Sequence, residues 1–244
     1  MSSALHRKLQ LYASLSGADL GKLSDALRQT RQVNARIDIA VEGDDPRTVY
    51  VILHGWAGRC RYLPDGRRQI TSLLLPGDCC DPHVFLFRRR DHTITALTPV
   101  VIASIPGPVF QELVARSPAL ELAFFFETMI AGSIQREVAV CLGRRSGLER
   151  LAHLLCELHA RQTAVALAEG RDCPMPLNQG DLADALGQTP VHINRMLQEL
   201  RRLGLISLRQ RRLTIHDADG LAELASFNPT YLHALDTARR EDAR

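Results

Sequence analysis

Residues 178–200 run NQGDLADALGQTPVHINRMLQEL. Asn178 followed by Asp181 is a helix start. An Asn side chain at the N-cap accepts from N–H groups that a first turn leaves unpaired, and an acid at the third helical position suits the positive end of the helix dipole. The helix continues through Leu182, Ala183 and Leu186 and stops at Gly187, a residue suited to the left-handed conformation that closes helices. Thr189-Pro190 opens a second helix, with Thr as N-cap and Pro at the first helical position, where its missing N–H is not needed. Ile193, Met196, Leu197 and Leu200 give that helix a buried stripe, and it ends near Gly204. Two short helices joined by a Gly-containing turn, with the small Ala183 where they cross, predict a helix-turn-helix.

The second helix of such a motif enters the DNA major groove by its N-terminal turns. The positions off the buried stripe there are Val191, His192, Asn194 and Arg195. Arg195 has the planar fork that takes guanine O6 and N7 together, and Asn194 has the amide that pairs with adenine. Gln179 and Thr189, at the two helix N-termini, are placed for phosphate oxygens. Beyond the helix, residues 205–208 and 213–215 are strand-like runs around Arg209, Gln210, Arg211 and Arg212. That pattern predicts a winged helix with a basic tip, in which Arg209, Arg211 and Arg212 contact DNA.

The charge distribution agrees. The 244 residues carry 30 Lys+Arg against 27 Asp+Glu, which by itself says little about partners. The window 195–212 holds six Arg and one acid, a local charge of +5, while the remainder of the chain sums to −2. Localised basic charge is the footprint of a surface that meets an anionic polymer. Only Lys8 and Lys22 are lysines, so the basic residues are overwhelmingly Arg. The Arg fork suits phosphate and guanine, and GC-rich coding produces the same bias.

Upstream of the motif, residues 148–161 form a helix with Leu151, Leu154, Leu155 and Leu158 on one face, and residues 164–176 are expected to be loop. The segment 143–147, Gly-Arg-Arg-Ser-Gly, is poor helix interior and good hinge. Before it, residues 118–142 contain no internal Pro, and apolar residues recur every three or four positions, which predicts a long helix. Its stripe packs either on its own β domain or on a second copy of the chain. The coiled-coil-like spacing favours a dimer seam formed by Leu122, Phe126, Met129, Ile130, Ile134, Val138 and Cys141. Further upstream, Ser16 caps a short helix, and residues 33–105 alternate short β-type runs, over 48–53, 58–63, 69–75, 92–97 and 100–105, with turn signals such as Pro64-Asp-Gly66 and Pro76-Gly-Asp78. A compact all-β sandwich or barrel follows.

The hydrophobic content of 45% is enough for a substantial core, and the 23% charged residues argue against disorder. The longest apolar stretches fall far short of the ~20 residues a membrane span needs. No apolar segment follows His6, Arg7 and Lys8, so no secretory signal is expected. The six Cys show neither a C-x-x-C pair nor regular disulfide spacing, and the expected compartment is a reducing cytoplasm.

This order of elements resembles the Crp/Fnr transcription regulators over nearly the whole chain. The matching stretches are Tyr50-Val-Ile-Leu-His-Gly55, Leu63-Pro-Asp-Gly-Arg-Arg-Gln69, Leu75-Pro-Gly-Asp78, and Leu182-Ala-Asp-Ala-Leu-Gly-Gln-Thr189 through Ile193-Asn-Arg195. The resemblance implies an α+β chain. Its parts are an N-terminal double-stranded, jelly-roll-like β-roll sensor over 1–117, a dimerisation helix over 118–142, a hinge over 143–147, a winged helix-turn-helix DNA-binding domain over 148–227 and a tail over 228–244. It also implies a homodimer on a palindromic promoter site, in which an effector shifts the DNA-binding heads, with RNA polymerase as a possible partner. The family's recognition-helix Arg falls on Arg195, and the Glu usual in its better-known members falls on Val191.

The sensor departs from the cyclic-nucleotide members of that family. Their phosphate cassette corresponds here to residues 78–93, with Pro82 at the Glu position and Asp91-His92 at the Arg-Ser pair. An Asp repels a cyclic phosphate, so cyclic-nucleotide control is not expected. The first Cys is Cys60, which does not resemble the N-terminal cysteine cluster of an iron-sulfur sensor. Cys79, Cys80, His83, Arg90 and His92 are the candidate effector-pocket residues. One of the two Cys with His83 could ligate haem or a metal, or the Cys could be buried small residues beside a turn. No cofactor is assigned. Cys141 could cross-link two chains or pack as a buried thiol. The rival reading is a small-molecule-binding β-roll protein or enzyme with a helical interaction module. Neither paired carboxylates, a nucleophile elbow nor a Gly-rich phosphate loop supports it.

Overall fold

The computed structural model describes residues 3–233. By internal contacts the chain divides into two units, residues 1–61 with 71–131, and residues 62–70 with 132–244. The tail expected over 228–244 therefore lies largely outside the described residues, and 234–244 entirely so.

The first unit opens with α1 (Ala4–Gln10) and α2 (Gly17–Ala26). Ser16 caps α2 reciprocally with Asp19, as its sequence suggested. Strands β1 (Thr30–Val33), β2 (Asp38–Ala40), β3 (Thr48–His54), β4 (Ala57–Tyr62), β5 (Arg68–Leu74), β6 (Cys79–Cys80), β7 (Thr93–Ala96) and β8 (Val100–Pro106) follow. They form two four-stranded sheets, ordered β1-β8-β3-β6 and β2-β7-β4-β5. In the first sheet Val49 faces Ile105 and Val51 faces Ala103 in antiparallel register. Ile52, Leu74, Cys80, Ile94, Ala96 and Ile102 make one buried cluster, as expected for two sheets packed over a common core. Gly55 turns the chain from β3 to β4 at φ +76°, where a Cβ would stand 2.2 Å from the Pro99 carbonyl oxygen, so only glycine fits.

The sequence reading finds five of these eight strands and misses β1, β2, β6 and helix α1. The missed strands are two to four residues long, too short for an alternation to show. Helix α3 (Gly107–Ala115) then leads into α4 (Pro118–Arg144). Lys8 of α1 lies 2.6 Å from both Asp78 and Glu127, tying α1 to the Pro-Gly-Asp turn and to α4.

In the second unit, α4 runs on through Gly143, and the expected break over 143–147 narrows to Arg145 and Ser146. A single Gly costs a helix only about 1 kcal/mol. The stop is set instead by Ser146, which caps α5 (Gly147–Ala164) reciprocally with Glu149. Within the segment expected to be loop, β9 (Asp172–Pro174) forms. Helices α6 (Gln179–Leu186) and α7 (Pro190–Arg202), strands β10 (Ile206–Arg209) and β11 (Arg212–Ile215), and α8 (Ala218–Ala225) complete the unit. The small sheet is ordered β10-β11-β9.

Candidate nucleic-acid interface

Both helix starts form as their residues dictate. Asn178 accepts from the Asp181 N–H at 2.8 Å and its own N–H donates to the Asp181 carboxylate at 3.2 Å. Gly187 adopts φ 62° and closes α6. Thr189 Oγ1 then accepts from the His192 N–H at 3.2 Å, fixing the entry of α7. Ile193, Leu197 and Leu200 bury one face of α7, and Ala183 is buried on α6. With the stripe fixed, Val191 stands 70% exposed, His192 and Arg195 are exposed, and Asn194 is half-buried. Gln179 and Thr189 are exposed at the two helix starts.

Near the C-terminal end of α7, Glu199 is held 2.7 Å from Arg202, so the one acid of the basic window is neutralised locally. Arg195 has no carboxylate partner among the described residues. The wing is a β10–β11 hairpin in which Arg209 pairs with Arg212 across the turn. Its two turn residues, Gln210 at φ 50° and Arg211 at φ 60°, are both left-handed. That is the two-residue turn whose twist suits a hairpin, but Asn-Gly is the favoured sequence there. The wing is also backed by β9, with Leu213 opposite Cys173. Arg209 and Arg211 are exposed, while Arg212 lies 3.4 Å from Glu169, which offsets part of its charge.

Residues 62–70 contribute a group that the sequence reading missed. Arg68 sits 2.7 Å from Asp184 and 3.2 Å from Asp181, and Gln69 Nε2 donates to the Ala185 carbonyl at 3.2 Å. Asp181 is 1% exposed, so a guanidinium facing it matters. A cleft of about 440 Å³ opens beside these residues, lined by Arg67, Arg68, Gln69, Gln188, Thr189 and His192 among others.

In the first unit, the candidate effector residues fall into two groups. Cys79 and Cys80 are buried, and burial pushes both thiols well above the ordinary cysteine range. Both are packed beside a turn, where burial disfavours the thiolate. His83 stacks edge-on against Phe85 and Phe110. Arg90 is buried, donates to the Thr48 carbonyl at 2.7 Å and lies over the Tyr50 ring at 5.5 Å. His92 is drawn to Asp81, with Nε2 3.0 Å from Oδ2, and Arg59 lies 3.0 Å from the other Asp81 oxygen. Burial lowers the His92 pKa, but the adjacent Asp81 carboxylate outweighs it and the net shift is upward. For Asp81, burial acts upward, yet Arg59 and His92 hold its carboxyl well below the usual range. Asp81 and His92 therefore lie in the stretch that corresponds to the phosphate cassette, with Arg59 of β4 against Asp81, and neither Asp81 nor Arg59 was singled out from sequence.

On α4, Leu122, Phe125 and Met129 are exposed and Phe126, Ile134 and Val138 are half-buried. Ile130 and Cys141 are packed inside the single chain, at 6% and 7% exposure. The exposed apolar residues of α4 are thus Leu122, Phe125, Met129 and Val140, a face rotated from the seam expected from sequence.

Two exposed helix starts, a recognition helix with an exposed arginine fork and a basic wing define a winged helix-turn-helix DNA reader, preceded in the sequence by a β-roll. Comparison with known proteins agrees. Residues 149–224 match the Crp-like helix-turn-helix domain family and residues 30–117 match the cyclic nucleotide-binding domain family. The chain is similar to the nitrogen fixation regulation protein FixK of Bradyrhizobium diazoefficiens, at 32% identity over 76% of this chain and 77% of the relative. It is also similar to an anaerobic regulatory protein of Haemophilus influenzae, at 25% identity over 89% of this chain and 84% of the relative. Among solved structures, FixK2 of Bradyrhizobium japonicum shares the fold with a TM-score of 0.72 at 20% identity, covering 82% of this chain and 98% of that one. The chain belongs to the Crp/Fnr family of DNA-binding transcription regulators. Among the described residues, no helix is long and apolar enough to cross a membrane.

Proposed function

We propose that this regulator works as a cytoplasmic, non-enzymatic homodimer that reads a two-fold symmetric promoter site without cyclic-nucleotide control. The observation that carries this reading is the exposed N-terminal face of α7, on which Val191, His192 and Arg195 project beside a basic wing. Two copies of α7 enter successive major grooves about 34 Å apart. Arg195 and Asn194 read base edges, Val191 and His192 contact the groove, and Gln179, Thr189, Arg209, Arg211 and Arg212 hold phosphates. The apolar face of α4, with Phe125 at 56% and Met129 at 51% exposure, supports pairing of two copies.

Insensitivity to cyclic nucleotides is supported by Asp91, a carboxylate at the position that the resemblance gives to the cassette's Arg. Isothermal titration of the purified chain with cyclic AMP and cyclic GMP tests this point. No heat and no change in DNA affinity is the expected result, and saturable binding that raises DNA affinity overturns it. RNA polymerase is the expected partner on the promoter, and a co-precipitation on promoter DNA checks it.

A further inference from the structure

The junction of α4 and α5 holds a cluster that DNA reading does not use. Glu137 and Cys141, one turn apart on α4, face His153 of α5, and one donor atom from each lies within 4.8 Å of the others. His153 is 2% exposed. Its Nε2 lies 3.3 Å from Glu137 Oε1 but makes no well-formed hydrogen bond. A buried imidazole nitrogen left in that state has lost water without a full replacement. A neutral imidazole is the form that ligates a metal.

A cation already sits on this cluster. Arg145 lies 2.8 Å from Glu137 Oε1, and its Nη1 donates to Cys141 Sγ at 3.1 Å. The chain's own guanidinium thus bridges two of the three donors. We propose that Glu137, Cys141 and His153 form a binding site for a zinc-class divalent cation, entered in exchange with Arg145.

The donor set fits that class. One thiolate, one imidazole and one carboxylate suit zinc, whereas magnesium and calcium prefer oxygen ligands alone. Bond lengths of about 2.0–2.3 Å to each ligand require the donors to close by roughly 1 Å. Glu137, with 23% side-chain exposure, has the freedom to make that movement and opens the path to solvent. On entry the Cys141 thiol gives its proton to solvent, and Arg145 leaves as an intact cation. Phe227 meets the His153 ring edge-on at 5.1 Å and Tyr231 stacks on it at 5.9 Å, which holds the ligand's orientation. A fourth position remains for water.

Release of Arg145 reaches the junction itself, because Arg145 also donates to the Ala225 carbonyl at 3.2 Å and its own carbonyl accepts from Arg150 at 2.9 Å.

The test uses cobalt(II) chloride and zinc sulfate with the full chain under reducing conditions. Cobalt should bind at one equivalent per chain with a thiolate charge-transfer absorption, and zinc should displace it. Cys141→Ser should abolish the absorption, and Arg145→Gln, which removes the competing cation, should tighten binding by about tenfold or more. Wild-type chain without a thiolate band at millimolar cobalt overturns the proposal. So does a band that survives in Cys141→Ser, which would place the metal on another thiol, or binding by Arg145→Gln no tighter than wild type. Circular dichroism separates lost folding from lost binding, and the Arg145→Gln arm stands if Cys141→Ser fails to fold.

Discussion

Arg68 faces Asp184 at 2.7 Å and the buried Asp181 at 3.2 Å, from more than a hundred residues earlier in the chain. Asp181 is needed where it is, as the reciprocal partner of the Asn178 cap on α6. Removing the guanidinium leaves a buried carboxylate with less compensation, and breaking a buried pair is among the costlier single changes. Arg68→Ala should therefore destabilise the chain by about 2–3 kcal/mol. Arg67→Ala, whose pairing with Asp65 is exposed, should change stability by less than about 0.5 kcal/mol. Urea denaturation of the two variants checks the difference, and equal midpoints would contradict it.

The wing turn holds strain. Gln210 and Arg211 both sit at positive φ, a conformation that costs a non-glycine residue of order 1 kcal/mol. Arg211→Gly should raise stability by roughly 0.5–1 kcal/mol while weakening binding to all duplex sequences alike, since a phosphate contact is lost. Thermal melting and DNA titration together check this prediction. Unchanged DNA affinity would show that the arginine does not reach the backbone.

The Asp81–His92 pair predicts a pH dependence. His92 has a folded pKa above its unfolded value of about 6.5, so its contribution is full below about pH 6.5 and is lost as pH rises through the folded value. Asp81 is shifted the other way, so its contribution is present above about pH 4 and falls away on acidification. His92→Gln should lower the urea midpoint more at pH 6 than at pH 9. A loss equal at both values would mean that the ring acts only through packing.

The exposed face of α4 predicts the assembly. Phe125→Glu with Met129→Glu places charge on the exposed apolar face of α4, and burying each native side chain is worth about 1–3 kcal/mol. Sedimentation should show a dimer for wild type and a folded monomer for the double variant. A dimer that persists unchanged would move the seam elsewhere.

The elements that were plain in the sequence are those whose signals are local. Asn178, Gly187, Thr189 and Pro190 act on their own few residues of backbone, and the structure places each at the cap it was expected to form. On α4 a helical stripe does not say which edge packs at home. Ile130 and Cys141 turned inward, while Phe125 turned out. Arg68 with Asp184, Arg59 with Asp81, and the Glu137–Cys141–His153 cluster were invisible, since each depends on side chains that only folding brings together. Strand β9 was hidden for the same reason, as Cys173 becomes strand by pairing with Leu213 on the wing.

On this reading α7 recognises sequence through Arg195 while the wing holds the backbone. The direct measurement is fluorescence anisotropy of wild type and Arg195→Ala on a duplex selected by the wild-type chain from a random pool and on an unselected duplex, at two salt concentrations. Arg195→Ala should lose about 1–3 kcal/mol on the selected duplex and much less on the unselected one, with wild-type affinity falling steeply as salt rises. An equal loss on both duplexes, or wild-type binding that ignores salt, would contradict the account.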